Sequence, residues 1–179
     1  VDRADRRRSV EGAAGYRQVE AALNLFTQLP VTTRMPGMRG WAVSPDLMSV
    51  LIELLRQRRP GLVVEIGGGS STVWLALAVR TFGLDTRIVT LEHDQAWVGT
   101  VRRRLAAQGL QDVAEVRHAP LVQHELDDGA RPWYDRSGWD DLAGIDLLMV
   151  DGPPATTGPL VRYPAVPLLL DRLGPQAVV

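Results

Sequence analysis

The chain has 179 residues, a length that suits one domain with a hydrophobic core of its own. Its formal net charge of −1 gives no general reason to expect a nucleic-acid partner. Because it contains no cysteine, disulfides, thiolate catalysis and cysteine-bound metals are excluded. The sequence shows no signal peptide and no apolar run long enough to cross a bilayer, so we expect a cytoplasmic protein without a membrane partner.

Residues 1–34 are expected to form a helical lead-in to the domain that follows. Residues 1–9 carry charges of both signs, which is typical of a solvated, fraying segment. Four apolar side chains then recur at helical spacing: Val19, Ala22, Leu23 and Phe26. This spacing predicts an amphipathic helix that is ended by Pro30 and packs its apolar face on the domain.

A loop and a second helix come next. Proline and glycine mark residues 35–41 as a loop, and Trp41 at its end is either a core residue or part of a lid over a bound ligand. The triplet Ser44-Pro45-Asp46 is typical of a helix start, with a cap, a first-turn proline and an acid favoured by the helix dipole. We predict a helix that stops before Pro60.

The central stretch, residues 62–72, runs from a β-branched segment through three glycines into an apolar segment expected to be a buried helix. A strand, glycine turn and helix bring backbone N–H groups and a helix N-terminus against a ligand. Glu65 would be costly at the end of a buried strand without a partner, and a cationic or multi-donor ligand on the turn would be such a partner. A purely structural turn is the alternative.

A dinucleotide site is the competing interpretation of this turn. The fingerprint G-x-G-x-x-G would start at Gly67, but its third glycine is replaced by Thr72. Glu65 would also repel a diphosphate. Both features disfavour an NAD-linked oxidoreductase.

Further acids end the next predicted strands. Residues 87–92 predict a strand that ends in Glu92, where nucleotide sites of α/β proteins place the carboxylate that binds ribose hydroxyls. A continuous apolar strand at residues 145–150 runs into Asp151. Glu65, Glu92 and Asp151 are therefore expected at one edge of a parallel sheet, where such sheets bind ligands.

The remaining segments are assigned more coarsely. Residues 113–117 predict a third strand, and His118 after it is either a base or a structural histidine. Residues 123–144 are expected to form a loop and a short helix whose aromatic residues either pack locally or wall a substrate pocket. A stiff turn at 158–164 either presents Arg162 and Tyr163 to a substrate or lies in solvent. A short helix at 168–173, a turn at Gly174-Pro175 and the start of a fifth strand at 177–179 complete the chain.

From about Met38 to Val179 the chain resembles class I S-adenosylmethionine-dependent methyltransferases, in their small O-methyltransferase-like branch. The matching segments are Arg39–Pro45, Glu65–Thr72, Leu91–Asp94 and Val150–Pro154. The resemblance implies an α/β, Rossmann-like, doubly wound and mainly parallel sheet with helices on both faces. It implies that residues 35–179 bind S-adenosylmethionine.

The resemblance also implies site residues. Those implied in cofactor binding are Trp41, Glu65, Gly67, Gly68, Gly69, Ser70, Ser71, Thr72, Glu92, His93, Ala119, Pro120 and Asp151. Glu65 and the glycine turn would hold the methionine moiety, and the three hydroxyl residues would cap the helix and contact the carboxylate. Glu92 would bind the ribose, while His93 with Ala119 and Pro120 would flank the adenine. Asp151 would lie near the amine and the transferred methyl group.

Two departures from the family pattern leave questions open. In metal-dependent relatives the acid at Asp151 binds Mg²⁺, but a second ligand pair would lie beyond Val179, so metal use stays open. The family sheet has seven strands and this sequence supplies five, so we expect a sheet without the last two. The chain is then a fragment, a shortened variant, or one protomer of a homo-oligomer in which another chain completes the sheet.

The implied activity is methyl transfer from S-adenosylmethionine to an oxygen or nitrogen of a small-molecule or saccharide acceptor. Asp151 and His118 are the candidate bases. A non-catalytic domain that binds S-adenosylmethionine or a nucleotide, or serves assembly, is the alternative, since a fold alone does not establish turnover.

Overall fold

The computed structural model describes residues 3–127 and 129–179, with side chains from residue 12 onward in these ranges. The first two residues of the expected fraying segment, and the side chains of the rest of it, lie outside the described part. The backbone expectation for that segment is wrong, because helix α1 already begins at Arg3. The arginine and alanine residues of this segment are good helix formers.

The described ranges contain five α-helices, in chain order α1 (Arg3–Gln28), α2 (Pro45–Arg58), α3 (Ser70–Thr81), α4 (Gln95–Ala107) and α5 (Ala165–Leu169). The same ranges contain seven strands: β1 (Leu62–Ile66), β2 (Arg87–Glu92), β3 (Ala114–His118), β4 (Leu121–His124), β5 (Arg131–Tyr134), β6 (Ile145–Val150) and β7 (Leu173–Val178). Short 3₁₀ turns occupy residues 136–138, 155–157 and 170–172.

Five of these strands form one parallel sheet in the order β3-β2-β1-β6-β7. Strand β1 is central, and its register places Glu65 beside Thr90 of β2 and Met149 of β6. Because all five strands run in the same direction, the carboxyl ends of β1, β2 and β6 meet at one edge.

A hydrophobic core covers each face of the sheet. Neighbouring residues of β1 contribute to opposite cores, Val63 to one and Val64 to the other, as the alternation along a strand requires. Helices α1 to α4 pack in the first core, and α5 packs in the second. The predicted α/β, doubly wound, mainly parallel sheet with helices on both faces is thereby confirmed.

The segment between β3 and β6 differs from the prediction of a loop and short helix. Strands β4 and β5 form an antiparallel hairpin, followed by the 3₁₀ turn at residues 136–138. Pro132 is tolerated because a two-stranded ribbon leaves one side of each strand without a ladder partner. Trp133 and Trp139 are fully buried with ring centroids 5.9 Å apart, so these two residues pack locally rather than wall a pocket.

The last strand also begins earlier than predicted. Gly174 and Pro175 lie inside β7 rather than in a turn, and the register against β6 is irregular between Ile145 and Leu147. β7 has only one neighbour among the described strands, so the missing N–H of a proline is compatible with its position. The predicted short helix is shifted towards the N-terminus, to α5 and the 3₁₀ turn that follows it.

Helix α1 ends at Gln28, before Pro30 as predicted, but it buries another face than expected. Leu25 and Leu29 enter the core, whereas Val19, Leu23 and Phe26 are each at least half exposed. Leu25 and Leu29 belong to the core that α2 and α3 share, whereas Phe26 makes an edge-to-face contact with Trp74 of α3 and stays half exposed. No helix in the described ranges is both long enough and apolar enough to cross a bilayer.

Candidate active site

A cleft lies at the carboxyl ends of β1, β2 and β6. It encloses a cavity of about 1060 Å³. Its walls are the glycine turn after β1, the acids that end β2 and β6, the start of α4, and the loop between α1 and α2. The cleft therefore occurs where open α/β sheets bind their ligands.

Two glycines allow the ends of β1 and β6 to approach each other. Gly67 has a φ of +91°, and a Cβ there would lie 2.8 Å from the backbone nitrogen of Gly152. A Cβ at Gly152 would lie 2.9 Å from the Cα of Gly67. Side chains at either position would push the strand ends apart, which explains both glycines.

The other two glycines of the turn have different surroundings. A Cβ at Gly68 would lie 2.7 Å from the Cγ2 atom of Thr90, so this glycine is required by packing. The carbonyl of Gly68 also accepts a hydrogen bond from Trp97 Nε1 at 2.7 Å. A Cβ at Gly69 would meet no heavy atom within 4 Å, and Gly69 lines the cleft. The turn is thus fixed at its base and open at Gly69.

The carboxylate of Glu65 is fully buried and is bound by three hydroxyl groups rather than facing the cleft. Ser71 Oγ donates to its Oε1 atom, while Thr72 and Thr90 donate to Oε2 at 2.5 and 2.7 Å. Burial raises the pKa of Glu65, and the three hydrogen bonds only partly oppose that shift. The partners of Glu65 are therefore hydroxyl groups of the protein itself. Through them the carboxylate joins the start of α3 to β1 and β2.

The hydroxyl residues at the start of α3 fix local structure. Thr72 Oγ1 accepts a hydrogen bond from the Gly69 N–H at 3.1 Å and so caps the helix. Ser70 Oγ donates to the carbonyl of Gly37 at 2.9 Å, and Trp74 Nε1 donates to the carbonyl of Pro36 at 3.2 Å. These bonds tie the loop before α2 to α3 beside the cleft. Trp41, on the same loop, lines the cleft and is 91% exposed, so it is not a core residue.

Glu92 ends β2 and lines the cleft although only 5% of its surface is exposed. Its Oε2 accepts the N–H of Gly68 at 3.2 Å, and its Oε1 accepts the N–H of Asp94 at 2.9 Å. The Nδ1 atom of His93 is 2.8 Å from Oε1 without the geometry of a hydrogen bond. A carboxylate has about four lone-pair sites, so this one can accept further donors from the cleft.

Asp151 ends β6, and its half-exposed carboxylate lines the cleft. Desolvation raises its pKa, and the guanidinium of Arg162 partly offsets that shift. Arg162 Nη2 lies 3.1 Å from Asp151 Oδ1 and donates to the backbone carbonyl of Asp151 at 2.8 Å. Of the three strand-end acids, the structure brings Glu92 and Asp151 to the cleft and turns Glu65 away.

The family model for a methyltransferase domain matches residues 64–179. The chain belongs to this methyltransferase domain family.

Two solved structures share the fold of this methyltransferase domain. A methyltransferase of Podospora anserina with bound S-adenosylhomocysteine matches with a TM-score of 0.60 and 20% identity, over 95% of this chain and 67% of that one. The C-terminal domain of precorrin-6Y C5,15-methyltransferase from Rhodobacter capsulatus matches with a TM-score of 0.51 and 18% identity, over 78% and 62%. At these identities the likeness concerns the fold alone.

A curated relative is provisionally named a competence-damage inducible protein of Levilactobacillus brevis. It is 26% identical over 128 residues, which are 68% of this chain and 29% of the relative. The chain thus spans less than a third of the length of that relative.

Besides Glu65 and Thr72, three further residues predicted for the site do not line the cleft of the methyltransferase domain. His118 is exposed, and its Nε2 contacts the carbonyl of His93 at 3.1 Å. Ala119 is fully buried in the second core, and Pro120 is exposed beside it. None of the three lines the cavity described here. Their roles as base and adenine contacts stay predictions that this geometry does not favour.

The donors around Asp151 do not fit Mg²⁺. Within residues 3–127 and 129–179, no group of three or more His, Asp or Glu residues is arranged to hold a metal ion. Mg²⁺ requires a near-octahedral set of oxygen ligands, and the charged group nearest to Asp151 is the cationic Arg162. The metal role considered for Asp151 therefore finds no support.

Tyr134 is one of the aromatic residues for which the sequence left local packing and a pocket wall open, and it lines the cleft. Its side chain is fully buried, and its hydroxyl has no hydrogen-bond partner in the described part of the chain. A Cβ on Gly152 would lie 2.2 Å from this hydroxyl oxygen. Burial and the nearby carboxylate of Glu92 raise the pKa of Tyr134, so the phenol stays protonated. No sequence signal identifies its position, because that position depends on the unpredicted hairpin.

Proposed function

We propose that this methyltransferase domain binds S-adenosylmethionine in the cleft and transfers its methyl group to an oxygen or nitrogen of a small-molecule or saccharide acceptor. The observation that carries the proposal is Glu92, a nearly buried carboxylate that lines the cleft and is joined to the glycine turn through the Gly68 N–H. The family match supports the same activity. The binding unit in this proposal is residues 35–179, with residues 1–34 as a helical lead-in.

The cleft residues fit such a cofactor. Glu92 would accept two hydrogen bonds from a vicinal diol, as a ribose-binding carboxylate does. Gly69 leaves open space where a side chain would intrude, and Glu65 would act indirectly by fixing the turn through Ser71 and Thr72. The volume of about 1060 Å³ lies just above the range of about 300–1,000 Å³ for ligand sites, which leaves room for an acceptor beside the cofactor.

When bound, S-adenosylmethionine would supply a methyl group already activated by its sulfonium. The protein then has to position the acceptor and exclude water. Asp151 is the candidate base within the cleft, since its raised pKa makes it a better proton acceptor than an ordinary aspartate. Its carboxylate would take the proton from an acceptor hydroxyl at Oδ1 or Oδ2.

Calorimetry tests the cofactor assignment. We expect S-adenosylmethionine and S-adenosylhomocysteine to bind and NAD not to bind. Glu92→Gln should lose most of that affinity and still unfold cooperatively, with a free energy of unfolding lower by about 1–3 kcal/mol because its amide nitrogen faces one of the two backbone N–H groups that Glu92 accepts. Glu115→Gln, which changes an exposed acid on β3, is the matched control. Binding of NAD alone, or unchanged affinity in Glu92→Gln, would contradict the proposal.

Transfer of labelled methyl into small-molecule and saccharide acceptors tests turnover. Cofactor binding without transfer to any acceptor would favour the non-catalytic alternative. The cytoplasmic location, the homo-oligomer and the absence of a nucleic-acid partner stay predictions.

A further inference from the structure

The loop after β6 holds Arg162 in the cleft at a conformational cost. Leu160 has a φ of +53°, in a backbone region that residues other than glycine rarely adopt. The next residue, Val161, is buried, while Tyr163 packs with the Arg131 guanidinium 5.6 Å from its ring centroid. Strained backbone of this kind persists where the surrounding structure holds it, and it clusters at functional sites. Here it directs Arg162, between these two anchors, to the cavity wall.

Arg162 is only partly engaged in this position. One atom, Nη2, contacts both the carbonyl and the carboxylate of Asp151. A guanidinium has five N–H donors, so most of them stay available. The two side chains are 47% and 46% exposed, and ion pairs of that exposure are weak and easily exchanged.

The charges of the cavity wall are unbalanced. The acids that line it each have partners within the protein: Glu92 accepts two backbone N–H groups, Asp94 accepts two at the start of α4, and Asp151 faces Arg162. Arg34 and Arg39 line the same cavity, and in the described ranges neither has a carboxylate within ion-pair distance. A cationic cofactor near Asp151 would compete with Arg162 for that carboxylate and repel its guanidinium. Arg162 would then lack the one side-chain carboxylate that it contacts in the described part of the chain.

We infer that Arg162 determines acceptor specificity by binding an oxyanion, a carboxylate or a phosphate, on the molecule to be methylated. This inference rests on the proposed function. Arginine recognises both groups with two parallel N–H···O bonds, and the strained loop fixes where that recognition takes place. Asp151 binds the guanidinium of Arg162 before the cofactor enters the cleft. When the cofactor binds, its positively charged end replaces the guanidinium beside the Asp151 carboxylate.

The test measures coupling between an anion and the cofactor product. S-adenosylhomocysteine is titrated into the full chain at constant ionic strength, with chloride, inorganic phosphate or acetate as the anion. We expect phosphate, acetate or both to raise its affinity about fivefold or more over chloride, and bound S-adenosylhomocysteine to raise the affinity for that anion by the same factor. The more effective anion identifies the group on the acceptor.

Variants assign the effect to Arg162. Arg162→Gln is expected to lose the coupling while binding S-adenosylhomocysteine in chloride at least as tightly as wild type, and Arg162→Lys to retain part of the coupling. The matched control is Arg87→Gln at the start of β2, which removes the ion pair between Arg87 and Glu115. The side chains of that pair are 53% and 47% exposed, close to the values for Arg162 and Asp151. In this control the anion should raise the affinity for S-adenosylhomocysteine by the same factor as in wild type.

Four results would overturn the inference: no anion effect in wild type, full coupling in Arg162→Gln, anions that weaken S-adenosylhomocysteine binding, or loss of binding in chloride when Arg162 is replaced. The last would make Arg162 a cofactor-binding residue. If the proposed function itself is wrong, the result is different: wild type would not bind S-adenosylhomocysteine in any buffer. The inference about Arg162 would then be wrong as well.

Discussion

The hydroxyl of Thr90 on β2 donates a hydrogen bond of 2.7 Å to the buried carboxylate of Glu65 on the neighbouring strand β1. Parallel register places the two residues directly beside each other. Thr90 is also fully buried, and its Cγ2 atom packs against Gly68. This one threonine therefore supports both the acid under the glycine turn and the turn itself.

Thr90→Val should separate these two functions, because valine keeps the Cγ2 atom and removes the hydroxyl. We expect the free energy of unfolding to fall by about 1–2 kcal/mol, since a buried carboxylate loses one of its three donors. Urea denaturation measures this change. Thr81→Val is the matched control, because the buried hydroxyl of Thr81 has no partner in the described ranges and its removal should cost little. Equal losses in the two variants would contradict the role assigned to Thr90.

Glu65 should make stability depend on pH. Its pKa in the folded state is raised above its ordinary value of 4.5, so the folded protein binds the proton more tightly than the unfolded chain does. This contribution to stability is fully present below pH 4.5 and is lost as pH rises through the folded-state pKa. We expect Glu65→Gln to flatten the profile of unfolding free energy over that window. If both proteins show the same slope from pH 4.5 upward, Glu65 is not the titrating group.

The glycine turn offers a pair of variants with opposite expected effects. Gly67→Ala should lower the free energy of unfolding by about 2 kcal/mol or more, because it combines a φ of +91° with a Cβ placed 2.8 Å from the Gly152 nitrogen. Gly69→Ala should fold like wild type, since its extended backbone suits any residue and its Cβ meets no heavy atom within 4 Å. Its methyl group would enter the cleft and weaken S-adenosylhomocysteine binding. Thermal unfolding and calorimetry measure the two effects, and wild-type affinity in Gly69→Ala would remove that position from the binding surface.

The sequence predicted those features that depend on local pattern. The apolar runs before Glu92 and Asp151 identified their strands and the sheet edge where they end. The partners of Glu65 depend on the register between β1 and β2, which periodicity does not reveal. The hairpin was missed because Pro132 and the polar residues around it argue against a strand. On α1, two adjacent stripes both have helical spacing, and only packing against other helices selects Leu25 over Phe26.

Tyr134 and Gly152 provide a double-mutant cycle on the floor of the cleft. Tyr134→Phe alone should leave the free energy of unfolding unchanged or slightly raised, because it removes a buried hydroxyl that lacks a partner in the described part of the chain. Gly152→Ala should be strongly destabilising in wild type, since its Cβ would lie 2.2 Å from that hydroxyl oxygen.

In the Tyr134→Phe background the same alanine should cost less by about 1 kcal/mol or more, as expected for two side chains in direct contact. Part of the cost will persist, because the new Cβ still lies 2.9 Å from the Cα of Gly67. Urea denaturation of the four proteins gives the coupling energy. A coupling energy of zero would mean that the Tyr134 hydroxyl does not occupy the space beside Gly152. The placement of Tyr134 against Gly152 in the cleft would then be wrong.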